Sequence, residues 1–136
     1  MLPAVFLDTS YLLALVNAHD ANHTRALQSA GSLATSRQKS VTTEAVVFEL
    51  CNGLSRKFWR ASAVQIVRAL RENSDVIIVP TSPTLLKRSF ELFANRLDKE
   101  WSLTDCLSFI VMQDQRLRQV LTTDHHFRQA GFEIVL

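Results

Sequence analysis

The chain has 136 residues, enough for one domain with a real core, and 47% hydrophobic against 21% charged residues is a globular balance rather than a disordered one. A net charge of +2 is too small to mark a nucleic-acid binder by itself, and no apolar run reaches the roughly 18–20 residues that span a bilayer. The cysteines Cys51 and Cys106 lack metal-ligand spacing and the opening apolar stretch lacks a basic lead, so we expect reduced core thiols, no signal peptide and a cytoplasmic protein.

Residues 4–8 read as a buried strand: an apolar run stopped by Asp8 and the hydroxyls of Thr9 and Ser10. A short apolar helix over Thr9–Val16 follows, then a polar turn, then a helix with Asp20 as its N-cap running to about Leu33. Ser40–Thr43 is a short strand. Glu44–Phe58 turns helical, with Val47, Leu50, Cys51 and Leu54 on one stripe and Glu49 beside it. A second amphipathic helix covers Arg60–Glu72. Val76–Val79 is an unbroken β-branched run ended by Pro80, which predicts a parallel strand covered on both faces. Ser82 and Pro83 form an N-cap and first-turn pair for a helix packing through Leu86, Phe90, Phe93 and Leu97. After a loop at 98–101, Ser102 opens a helix carrying Leu103, Leu107, Ile110, Val111 and Leu117. Val120–Thr123 is a strand ending at Asp124, then come a helical turn over 125–130, Gly131 and a last strand at Glu133–Leu136. Strands alternate with helices throughout. One three-layer α/β/α sandwich with a mainly parallel central sheet, spanning residues 1–136, is the expected architecture.

Four carboxylates stand where such a sheet gathers its ligands, at strand carboxyl ends and at the helix starts beyond them: Asp8, Glu49, Asp105 and Asp124. Each also has a plainer reading. Asp8 and Asp124 would serve as helix caps, Asp105 completes a capping-box spacing with Ser102, and Glu49 would be a solvated helix residue. Brought together, the four would repel one another, and a hard divalent cation such as Mg²⁺ would relieve that repulsion. Thr9, Ser10, Thr104, Ser108 and Thr122 are placed to orient carboxylates or waters around such an ion.

Eleven of the fifteen basic residues are arginine. Arg56, Lys57 and Arg60 form one cluster and Arg116, Arg118 and Arg128 another; they are either solvated helix faces or contacts for a phosphate backbone. Histidine offers a rival metal reading: His19 and His23 are four apart and His125 and His126 adjacent, but no cluster completes a zinc site. Trp59 and Trp101 read as packing rather than as base-stacking platforms.

At Phe6-Leu7-Asp8-Thr9-Ser10, Thr42-Thr43-Glu44-Ala45-Val46-Val47-Phe48-Glu49-Leu50, Trp101-Ser102-Leu103-Thr104-Asp105-Cys106 and Leu121-Thr122-Thr123-Asp124-His125-His126-Phe127, the sequence resembles a PIN domain. Within that group it is similar to the small stand-alone toxin ribonucleases of toxin–antitoxin pairs, the VapC type. The resemblance spans nearly the whole chain. It implies an endoribonuclease dependent on Mg²⁺ or Mn²⁺, with Asp8, Glu49, Asp105 and Asp124 as its acids and Asp98 as a lesser ligand or supporting residue. Glu49 is preferred over Glu44, one turn earlier, by its distance from the Thr42-Thr43 step. The resemblance further implies an RNA substrate, a cognate antitoxin and a homodimer. An RNA-processing nuclease and a catalytically silent RNA-binding or interaction module are its alternatives. A receiver-type phosphoacceptor would need a lysine after one of the last strands, and none is there.

Overall fold

The computed structural model describes residues 2–136. Along the chain come β1 (Val5–Leu7), α1 (Thr9–Val16), α2 (His23–Ser36), β2 (Ser40–Thr43), α3 (Glu44–Gly53), α4 (Lys57–Glu72), β3 (Val76–Val79), α5 (Pro83–Asn95), α6 (Leu103–Asp114), β4 (Gln119–Leu121), α7 (His126–Gln129) and β5 (Glu133–Ile134). The strands form one sheet in the order β3-β2-β1-β4-β5. Every pairing is parallel, with Val5 opposite both Ser40 and Gln119.

This order gives the sheet its functional edge. The chain leaves β1, builds outward through β2 to β3, then returns to the other side of β1 to lay down β4 and β5. Right-handed crossovers turn that reversal into helices on opposite faces: α1 to α4 pack among themselves, and α5 to α7 pack around α6. The reversal falls between β1 and β4, and the strand carboxyl ends at such a reversal are where open α/β sheets place their ligands. β1 is wholly buried because strands flank it on both sides and helices cover both its faces.

Local chemistry sets the helix starts that face this edge. Thr43 Oγ1 accepts from Val46 N–H (3.1 Å) and caps α3. Ser82 Oγ does the same for Leu85 N–H (3.0 Å), with Pro83 in the first turn of α5. In α6, Ser102 Oγ accepts from Asp105 N–H (3.0 Å) while Asp105 Oδ2 accepts from Ser102 N–H (3.1 Å), a full capping box. Gly131, at φ 96°, turns the chain from α7 into β5 in a conformation that side chains resist.

Some expectations fail on packing. β3 is an edge strand, so its apolar run is covered on one side and Ile77 is 54% exposed. On α5 the stripe Leu86, Phe90, Phe93 and Leu97 faces solvent, and Leu85 and Ser89 are the buried positions. The expected helix over Glu44–Phe58 breaks after Gly53, which leaves Phe58 exposed at the start of α4. The second helix starts at His23, because Asp20 Oδ1 accepts from Asn22 N–H (2.8 Å) and holds the preceding turn instead. Cys51 and Cys106 are free thiols, and burial pushes Cys106 up to about 11.

Candidate active site

Asp8 stands at the N-cap position of α1, yet its carboxylate makes no capping bond. It turns into the β1/β4 crevice instead. There Thr122 Oγ1 donates to Asp8 Oδ2 at 2.7 Å and Ser10 Oγ donates to the same oxygen at 3.2 Å. Each hydroxyl has its own backbone donor: Asp124 N–H on Thr122 Oγ1 (3.0 Å) and Thr123 N–H on Ser10 Oγ (2.9 Å). Each of those N–H groups takes one lone pair of its hydroxyl, whose proton is left for Asp8 or for the neighbouring hydroxyl. The two hydroxyls also touch each other at 2.9 Å, which closes the triangle.

Asp8 is 4% exposed. Burial raises its pKa to about 6; the Thr122 and Thr9 N–H hydrogen bonds hold it down in part, and the charges of Asp105 and Glu49 push it up. Asp105 and Glu49 are therefore near enough for their fields to reach Asp8. Glu49 reaches that position from α3, half-buried. Glu44, one turn earlier, is exposed and spends Oε1 on Thr81 N–H (2.6 Å) at the start of the loop to α5.

Asp105 is buried in the first turn of α6. Its Oδ2 carries two partners, Ser102 N–H and His126 Nδ1 at 3.1 Å. Asp124 follows β4. Its Oδ1 accepts from His126 N–H at 2.9 Å and lies 3.2 Å from His126 Nδ1. One oxygen of Asp8, of Asp105 and of Asp124 is thus held by side chains or backbone of the chain, and none of their second oxygens is given a side-chain donor among the described residues. Two buried hydroxyls beside these acids, Thr9 Oγ1 and Ser108 Oγ, also lack partners. Thr104 is half-buried in the same turn of α6. Oxygen donors clustered in this way, one of them a carboxylate whose charge burial disfavours, suit a hard divalent cation.

The family model for the PIN domain matches residues 5–133. The chain belongs to the PIN domain family. This PIN domain is 29% identical over 128 residues to the 23S rRNA-specific endonuclease VapC20 of Mycobacterium tuberculosis, covering 94% of this chain and 95% of that one. The crystal structure of that VapC20, a Sarcin-Ricin loop cleaving toxin, aligns with a TM-score of 0.82 at 28% identity over 95% of this chain and 96% of the other. A VapBC2 structure from Rickettsia felis, bound to a DNA fragment from its promoter, shares the fold at a TM-score of 0.67 and 15% identity, over 97% of each chain.

Other residues singled out in the sequence lie elsewhere in this PIN domain. Asp98 is exposed, and Arg96 takes both its oxygens (2.9 and 3.0 Å), which draws its pKa down to about 2. No hydrogen bond ties it to the four acids among the described residues. Arg116 and Arg118 precede β4 and so stand at the amino edge of a parallel sheet, opposite Asp8 and Thr122. Arg56, Lys57 and Arg60 are exposed where α4 begins, and Arg60 Nε donates to Ser55 O at 3.1 Å. Arg128 alone of the six borders the site. It lines a cleft of about 360 Å³ with Asn22, Arg25, Thr122, Thr123 and His125. His23 does not pair with His19, because its Nδ1 bonds Ala14 O at 2.6 Å. Trp101 is buried, edge-on to Phe109 at 5.0 Å.

Two residues of the site escape a reading of residue types. Arg25 is isolated in sequence, and only the fold brings it to the cleft that Arg128 also lines. His126 was legible only as half of a possible zinc pair. Its signal was Phe127, whose burial against Phe6 and Phe109 fixes the direction of the histidine before it.

Proposed function

We propose that the chain is a divalent-metal-dependent endoribonuclease, the toxin of a toxin–antitoxin pair. The observation that supports this reading is Asp8, buried and unused as a cap, within reach of the charges of Asp105 and Glu49 and joined through Thr122 to the backbone of Asp124. Asp8 and Asp105 are the main ligands of Mg²⁺ or Mn²⁺; Asp124 and Glu49 complete the set by ligation or by positioning the attacking water. A cation bound there supplies an acidified water and charge compensation at the phosphate. Thr122 and Ser10 keep Asp8 turned into the crevice, and Ser102 keeps Asp105 facing it from α6. Arg25 and Arg128 offer guanidinium groups to the RNA backbone along the neighbouring cleft. Asp98, Arg116 and Arg118 are left outside this assignment by their positions.

The 23S rRNA specificity of VapC20 makes structured ribosomal RNA the first substrate to test. The same family likeness supports an antitoxin partner and a homodimer, and the exposed stripe of α5 supports a protein-contact role for that helix. The purified protein should cut such RNA with Mn²⁺ and stop when the metal is chelated. Undiminished cleavage by Asp8→Asn or Asp105→Asn would refute the mechanism. RNA binding that ignores metal, with no cleavage under any metal, would favour a silent binding module instead.

A further inference from the structure

We propose that His126 is a positioning residue that ties two of the acids together, Asp105 through its imidazole and Asp124 through its backbone N–H. Its Nδ1 lies 3.1 Å from Asp105 Oδ2 and 3.2 Å from Asp124 Oδ1. A carboxylate oxygen accepts, so the Asp105 bond requires a proton on Nδ1. The His126 backbone N–H donates to Asp124 Oδ1 at 2.9 Å, so one residue is bonded to both acids.

The clamp joins parts of the chain that otherwise have no reason to keep a fixed distance. Asp105 rides on α6, a helix buried along nearly its whole length, whereas Asp124 sits in the loop after β4 with 30% of its side chain exposed. His126 is only 18% exposed in its side chain, and the buried Phe127 anchors its backbone to Phe6 and Phe109. The loop carrying Asp124 is thereby tied to the core. Because the imidazole engages Asp105 Oδ2 and the backbone N–H engages Asp124 Oδ1, the other oxygen of each acid is left to a cation.

The role of the clamp in metal binding rests on the nuclease reading, while the clamp itself is tested without it. Long-range proton–nitrogen NMR of the metal-free protein should find His126 Nδ1 protonated; a bare Nδ1 overturns the proposal whether or not the protein cleaves RNA. The variants then separate donor from ligand. An asparagine amide N–H falls where Nδ1 was, and a glutamine amide falls where Nε2 was. His126→Ala and His126→Gln should each weaken Mn²⁺ binding, measured by EPR without RNA, by about 10–100-fold. His126→Asn should bind within several-fold of the parent, with kcat rather than KM following the same order. Equal affinity in the alanine variant, or rescue by glutamine and not by asparagine, overturns the clamp. The expected Mn²⁺ series in a protein that cuts no RNA leaves the clamp standing and overturns the nuclease reading.

Discussion

Asp8 shows how one carboxylate is set against the fold that holds it. Its folded-state pKa of about 6 lies above the 3.8 of a free aspartate, so the folded chain keeps a proton that the unfolded chain has released. Stability therefore falls as pH rises from about 4 through about 6, by about 3 kcal/mol in all. Asp8→Asn removes that ionisation. In thermal melts without metal, the variant should be more stable than the parent at pH 7.5 and converge with it near pH 4. Added Mn²⁺ should raise the Tm of the parent and not of the variant, because ligands stabilise only the state that binds them. Thr122 pulls the other way: its hydroxyl lowers the Asp8 pKa. Thr122→Val should move the acid limb of the cleavage profile to higher pH, and should lose ~1–3 kcal/mol of stability by leaving Asp124 N–H without its acceptor. A pH profile that does not move would separate Asp8 from the rate-determining chemistry.

At the scale of the element, α5 and α6 divide two tasks. Residues Asp105 to Met112 of α6 are buried, so the helix serves as a rigid carrier for Asp105 and as the pillar under Phe127. Its partner α5 covers it with Leu85 and Ser89 and turns Leu86, Phe90 and Phe93 outward, with Leu97 just beyond its end. Aromatic groups on such a stripe gain little from water contact and much from burial by another surface. If the chain forms a homodimer through α5, Phe90→Glu places a charge in that contact. Sedimentation should then show a shift toward monomer with an unchanged circular dichroism spectrum and Tm. An unaltered dimer would move the contact to another face.

For the whole molecule, the sheet order decides where chemistry can occur. The reversal between β1 and β4 sets the ligand edge of the sheet, and β1 at its centre gives Asp8 its burial. The cleft lined by Arg25 and Arg128 also includes Thr122, the residue that bonds Asp8. If these guanidinium groups contact RNA phosphates, raising salt from 50 to 200 mM should increase KM for RNA far more than it changes kcat. The double substitution Arg25→Ala and Arg128→Ala should flatten that salt dependence, whereas Arg116→Ala with Arg118→Ala should not. An equal effect from both pairs would contradict the placement of substrate on the carboxyl edge.

The alternation of strand and helix and the parallel sheet were legible in the amino-acid sequence, and Asp8, Glu49, Asp105 and Asp124 could be singled out there as candidates. They follow from short-range chemistry: apolar runs cut by polar stops, a Ser102–Asp105 capping spacing, a Pro83 start. Burial at the periphery was not legible, because Ile77 and Phe90 carry the same apolar signal inside a core as on an edge strand or an outer helix face. The plainer readings of the acids also needed the fold to decide them. Asp105 does cap its helix, with one oxygen, while Asp8 at a cap position caps nothing, because Thr122, more than a hundred residues away, holds its carboxylate. Which oxygen each acid keeps free, which arginines share its edge and which histidine joins Asp105 to Asp124 depend on contacts between distant segments, and those distances exist only once the sheet is assembled.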